Sequence, residues 1–431
     1  MKNKLNFVLV VILLYFFVLP VQSQNLEELM FELPDIIFQE IEPTKEYGTT
    51  YKLKIKQPLD HFDLSKGHFY QKVFLTHRGF EQPIVMNTCG YDRSKDYIHE
   101  LTKLLGANQL NIEHRYFGES IPDSLDYKYL NLTQITADLH YINQLFKKIY
   151  SGKWISTGIS KGGSTTIFYR YFYPNDVDVS IPYVAPLTMG FEDKRIYTFL
   201  DTIGSKDCHN KIESLQINLF ENREQVLPLL KFYSIGKELD FSYLTPEQAF
   251  EYAVLEYPFS FWQSGYSCDS IPDEEASINE IVEYFVNADI LSLYSDESID
   301  KYGSHYYQAA TEMGYYGYDI DDFKEYIVSL PNDKNPHATF PPKNLDVKFD
   351  DTLLKKVNKW LINEGNKFIY IYGSIDTWSA CAVKLSKNVD SKAFYLEGKN
   401  HYKARIKNMN EEERQEFIST LENWLSLDIE E

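Results

Sequence analysis

Cysteine is scarce in this chain. Its 431 residues carry four, Cys89, Cys208, Cys268 and Cys381, and no two stand in a C-x-x-C spacing. That argues against a thiolate-bound zinc cluster, and no metal or organic cofactor is indicated. Cys208 and Cys268 flank one helical segment and are the expected disulfide. Cys89 and Cys381 fall near strand ends, where a bridge and two buried thiols are both open. Basic side chains are in deficit: 43 Lys and Arg stand against 63 Asp and Glu, a formal charge of −20. Such a chain repels nucleic acid and anionic lipid, and its acidity suits substrates with a free ammonium group. After the first two dozen residues no apolar run approaches membrane-spanning length, so no membrane association is expected of the mature chain. Internal repeats and low-complexity tracts are absent too, which argues against a solenoid.

What is present points to a large globular, exported protein. Apolar residues make up 44% and aromatics 16%, enough for a substantial core, and the length suggests two or three structural units. The first residues, MKNKLNFVLVVILLYFFVLPVQSQ, read as a secretory signal over 1–23. Lys2 and Lys4 precede a short apolar run that Pro20 interrupts, and cleavage is expected between Ser23 and Gln24. The expected location is secreted or periplasmic.

Strand and helix patterns then alternate. Tyr51 to Gln57 alternates apolar and polar residues, and His68 to His77 reads as its hairpin partner. Short apolar runs follow at 83–86, 109–112, 154–157 and 178–185, and again at 367–372 and 393–396. Strands interleaved with helical stretches predict a mainly parallel sheet covered on both faces, an α/β architecture. From about Arg195 to Phe340 the strand signal gives way to helices; Thr245-Pro246-Glu247-Gln248 carries a capping box with proline in the first turn. The expected layout is a sheet domain over 24–194, a helical cap over 195–340 and the rest of the sheet domain over 341–431. The last helix opens at Asn410, with Glu413 three residues on.

The chain is organised around Trp154 to Pro174. A short strand runs into Gly158-Ile159-Ser160-Lys161-Gly162, a G-x-S-x-G pattern, and a helix-like segment follows. This is the layout of a nucleophile elbow, which points a serine hydroxyl outward at a helix N-terminus. A serine needs a base that is itself oriented by a third group, and in α/β-hydrolases these follow in the order serine, acid, histidine. Asp376 sits just past a late strand, and His401 is the one histidine after it. The expected triad is Ser160, Asp376 and His401. The oxyanion donors are expected to be main-chain N–H groups, one from Lys161 and one from the loop at Gly90 and Tyr91. Glu113-His114-Arg115 reads as a charged network bracing a strand-end loop. Glu312 reads either as a helix-surface charge or as a partner for a substrate ammonium.

EHRYFGES (Glu113 to Ser120), STGISKGG (Ser156 to Gly163), DVDVSIPYVAP (Asp176 to Pro186), YYQAATEMGYYGYD (Tyr306 to Asp319) and GSIDTWSA (Gly373 to Ala380) resemble the secreted prolyl tri- and tetrapeptidyl aminopeptidases. QPLDHF (Gln57 to Phe62) is also similar to the lysosomal Pro-Xaa carboxypeptidase and dipeptidyl peptidase II group, whose elbow reads G-G-S-Y-G where this chain has GISKGG. The resemblance implies an α/β-hydrolase fold with a large helical cap. It also implies a serine exopeptidase that takes peptides with a free N-terminus and releases tri- or tetrapeptides after proline. Trp378 would then be either an apolar wall for the proline ring or a core tryptophan. An esterase or lipase on the same fold, and a dipeptidyl peptidase or Pro-Xaa carboxypeptidase specificity, are the alternatives.

Overall fold

A computed structural model describes residues 25–273 and 275–429. The leader and its expected cleavage point lie outside them. One sheet of nine strands runs through the described residues: β1 (Ile36–Ile41), β2 (Thr49–Pro58), β3 (His68–His77), β4 (Ile84–Thr88), β5 (Asn108–Ile112), β6 (Trp154–Ile159), β7 (Val179–Tyr183), β8 (Ile369–Gly373) and β9 (Lys392–Leu396). Their order is β1-β2-β3-β5-β4-β6-β7-β8-β9. β1, β2 and β3 form an antiparallel meander, β3 joins β5 antiparallel, and β5 to β9 run parallel.

The first strands behave as their sequence dictates. In β2, Tyr51, Leu53 and Ile55 are buried, while Lys54 is exposed, and Leu53 stands opposite Val73 of β3. β4, β5, β7 and β8 are buried at every position, because helices cover both faces of the parallel part. β1 is half exposed at the sheet edge, so its IIFQEI pattern reads weakly from sequence.

The helices are α1 (Leu26–Phe31), α2 (Glu100–Leu104), α3 (Leu132–Phe146), α4 (Lys161–Phe172), α5 (Arg195–Thr202), α6 (Lys206–Glu221), α7 (Arg223–Gly236), α8 (Pro246–Ser264), α9 (Ile278–Asn287), α10 (Asp296–Gln308), α11 (Thr352–Asn363) and α12 (Glu411–Leu425). Capping boxes open α8 at Thr245 and α12 at Asn410, where the sequence places them. Helices α5 to α10 share a hydrophobic core of their own, built around Phe250, Phe259, Phe261, Phe285 and Phe340. Trp378 and Cys381 join that core from the segment after β8. Cys208 and Cys268 form a disulfide across it, while Cys89 and Cys381 are buried thiols. The order of the strands, the parallel run from β5 to β9 and the helices on both faces make this an α/β-hydrolase fold.

Candidate active site

Parallel strands end at one edge of a sheet, so the loops after β4, β6, β8 and β9 share a rim. Ser160, between β6 and α4, has φ 56° and ψ −126°, a strained conformation for a residue with a side chain. A Cβ on Gly158 would run into the carbonyl oxygens of Gly162 and Thr88, so the turn is that tight only because glycine stands there. The Ser160 N–H donates to Tyr183 O (2.9 Å), pinning the turn to β7.

Asp376 follows β8 and is buried; His401 follows β9 and is 5% exposed. His401 Nδ1 donates to Asp376 Oδ2 at 2.8 Å. That bond places the proton on Nδ1 and leaves Nε2 as a proton acceptor. Asp376 Oδ1 accepts from the Trp378 N–H (3.1 Å). Both loops are braced from α8: the Thr377 hydroxyl donates to Phe259 O (2.9 Å), the His401 N–H to Gln263 O (3.1 Å), and the Asn400 amide to Ser264 O. Among the described residues Ser160 Oγ makes no hydrogen bond, so the structure joins the acid to the histidine but does not join the histidine to the serine.

Ser160 opens onto a cavity of about 420 Å³. Its wall takes Trp378 and Tyr402 from the loops of Asp376 and His401, Tyr302, His305 and Tyr306 from α10, and Tyr315, Tyr316 and Tyr318 from the stretch beyond. His401 and Asp376 are not among the residues that line the cavity. Lys161 N–H lies in the first turn of α4, where no intrahelical acceptor is available. Gly90 packs directly against it: a Cβ there would meet Lys161 Cβ at 2.7 Å and Gly162 N at 2.8 Å. The Tyr91 N–H is directed to Cys89 Sγ (3.4 Å).

The Lys161 side chain is buried beside the elbow. Its ammonium donates to Gly90 O (2.7 Å) and lies 3.3 Å from His114 Nε2, with the rings of Tyr91 and Phe117 about it. Burial lowers its pKa to about 7, against the attraction of Cys89 and Glu312. Burial and the Lys161 charge push His114 well below the usual histidine range. Its neighbours form the network the sequence suggests. Glu113 binds Lys72 (2.8 Å) and the Arg93 and Glu119 N–H groups, and Arg115 clamps Asp138 through two nitrogens at 2.6 and 2.7 Å.

Glu312 does not reach the Ser160 cavity. It lines a separate pocket with Asn131 and Asp350 and accepts from the Leu132 N–H (2.7 Å) at the start of α3; burial raises its pKa to about 8. Sequence reasoning did not find the buried acid that lines the cavity, Glu256 of α8; the other acid on its wall, Asp289, is exposed. Its signal was legible: Glu256 is the single charge in the apolar run Tyr252 to Trp262.

The family model described as PS-10 peptidase S37 matches residues 21–427. The chain belongs to that family. It is a serine peptidase, and the resemblance read from its motifs holds. Among curated relatives of this S37 peptidase, the prolyl tri/tetrapeptidyl aminopeptidase of Streptomyces mobaraensis is 27% identical over 398 residues, covering 88% of this chain and 80% of the relative. A chain of Arabidopsis thaliana named as a probable serine protease is 24% identical and covers half of each. Among solved structures, VinJ aligns over 89% of this chain and 99% of its own, at a TM-score of 0.42 and 12% identity. Among the described residues no helix is long and apolar enough to cross a membrane.

Proposed function

We propose that this S37 peptidase is an exported exopeptidase that releases tri- or tetrapeptides from the N-terminus of oligopeptides, with proline before the scissile bond. Ser160 Oγ attacks the carbonyl carbon as His401 Nε2 takes its proton, giving a tetrahedral oxyanion held by the N–H groups of Lys161 and the Gly90–Tyr91 loop. The C–N bond breaks as the imidazolium returns that proton to the leaving amine. Water then attacks the acyl-enzyme by the same route in reverse roles, and Asp376 holds the imidazole throughout. The observation that carries this reading is the Asp376–His401 bond on the rim where the strained Ser160 turn also ends. Catalytic hydrogen bonds often close only around substrate, so a free hydroxyl at Ser160 is compatible with the roles. The helices of 195–340 act as a cap that admits short chains, and Trp378 provides an apolar wall for the proline ring. The activity named for one relative, the Streptomyces mobaraensis enzyme, supports the specificity.

Chromogenic Ala-Ala-Pro amides test it. Hydrolysis with release of intact tripeptide is expected from the native chain, and Ser160→Ala should lose it by at least a thousandfold. Cleavage within long chains, or full activity in the variant, would contradict the reading.

A further inference from the structure

α8 carries two buried glutamates, and their surroundings differ. Glu251 is a finished structural site: Arg223 lies 2.6 Å from its carboxylate, and the N–H groups of Val328, Ser329 and Leu330 complete it. One and a half turns on, Glu256 is 3% exposed, and among the described residues no cation pairs with it. It accepts from the hydroxyls of Ser260 (2.7 Å), Tyr316 (3.0 Å) and Tyr318 (2.7 Å). Three neutral donors orient a carboxylate without cancelling its charge, and a buried charge left so is costly. Glu256 is also on the wall of the cavity onto which Ser160 opens. The other charged groups on that wall do not answer it. Lys161 is committed to Gly90 O, and Asp289 is an acid in an exposed position.

We propose that Glu256 is the anchor for the substrate's N-terminal ammonium. The ammonium supplies the cation that α8 omits, and the tyrosine wall shields the pair from water. Glu256, not Glu312, thus carries the preference for a free N-terminus. Because the contact is with the ammonium and not with the reacting bond, it adds binding in the ground state and transition state alike, and its loss falls chiefly on KM. The inference rests on the exopeptidase reading above, and one experiment separates the two.

Rates are measured on Ala-Ala-Pro-p-nitroanilide and on its N-acetylated copy, for the native enzyme, Glu256→Gln, Tyr318→Phe and Asp289→Asn, with a thermal melt for each. The native enzyme is expected to prefer the free amine. In Glu256→Gln the ratio of the two kcat/KM values should fall at least tenfold, mainly through KM on the free-amine substrate. Tyr318→Phe should lower it in the same direction by less, and reports the effect even where the first variant melts early. Asp289→Asn should keep the ratio. Unchanged discrimination in both Glu256→Gln and Tyr318→Phe, or its collapse in Asp289→Asn alone, overturns the anchor while leaving the exopeptidase reading standing. A native enzyme that cleaves both substrates alike overturns both.

Discussion

Glu256 has a consequence for stability as well as for binding. Burial raises its pKa from 4.5 to about 7, against the pull of its three hydroxyl donors. The tyrosines that face it, Tyr294, Tyr306, Tyr315, Tyr316 and Tyr318, are all pushed upward by burial and stay neutral through this range. The folded chain therefore binds a proton here that the unfolded chain has released between pH 4.5 and 7. The group's contribution is fully present below pH 4.5 and is lost as pH rises through 7. At about 1.4 kcal/mol per pH unit, the loss is on the order of 3 kcal/mol. Glu256→Gln should thus gain in melting temperature over the native chain at pH 8 relative to pH 4.5. A gap that stays constant across that range would mean the carboxyl does not titrate as its burial demands. The same residue marks where reading a sequence stops. The elbow at Ser160 is local, so strand, glycines and helix announce it together. An apolar run around Glu256 marks it as a buried charge, but only packing against Arg223 for Glu251, and a cavity for Glu256, tells their roles apart. Glu312 is illegible for the same reason, since no pattern says that its carboxylate turns to the start of α3.

At the scale of elements, α8 is the brace of the site. Its C-terminal turn receives the Asn400 amide, the His401 N–H and the Thr377 hydroxyl, so it fixes the loops of both the acid and the histidine. Asn400 also accepts from the N–H groups of Tyr402 (3.1 Å) and Lys403 (2.9 Å), which shapes the turn that presents His401. Asn400→Ala removes these bonds without touching the imidazole. It should lower kcat by about tenfold or more while changing KM little, since a small misplacement of the base is felt in the chemical step. A change confined to KM would show that the loop is held by other contacts. The strands were legible because parallel burial writes short apolar runs, and β2 and β3 because they alternate. The bracing was not, because hydrogen bonds from a loop to the end of a helix more than a hundred residues earlier leave no periodic trace. β1 is less legible for a simpler reason: at the sheet edge none of its residues is fully buried.

At the scale of the molecule, three groups separated by up to 241 positions depend on one topological fact. β6, β8 and β9 run parallel, so their C-terminal ends share a rim, and α8 and α10 of the helical segment line the cavity onto which Ser160 opens. The order serine, acid, histidine carried that arrangement in the sequence, whereas the shape and lining of the cavity required the fold. The most direct measurement is site mapping with a fluorophosphonate, which reacts only with an activated serine. Peptide mass spectrometry should place a single adduct on Ser160 in the native chain, and His401→Ala should suppress it strongly while the protein still melts cooperatively. An adduct on another serine, or equal labelling of Ser160 without the imidazole, would contradict the account.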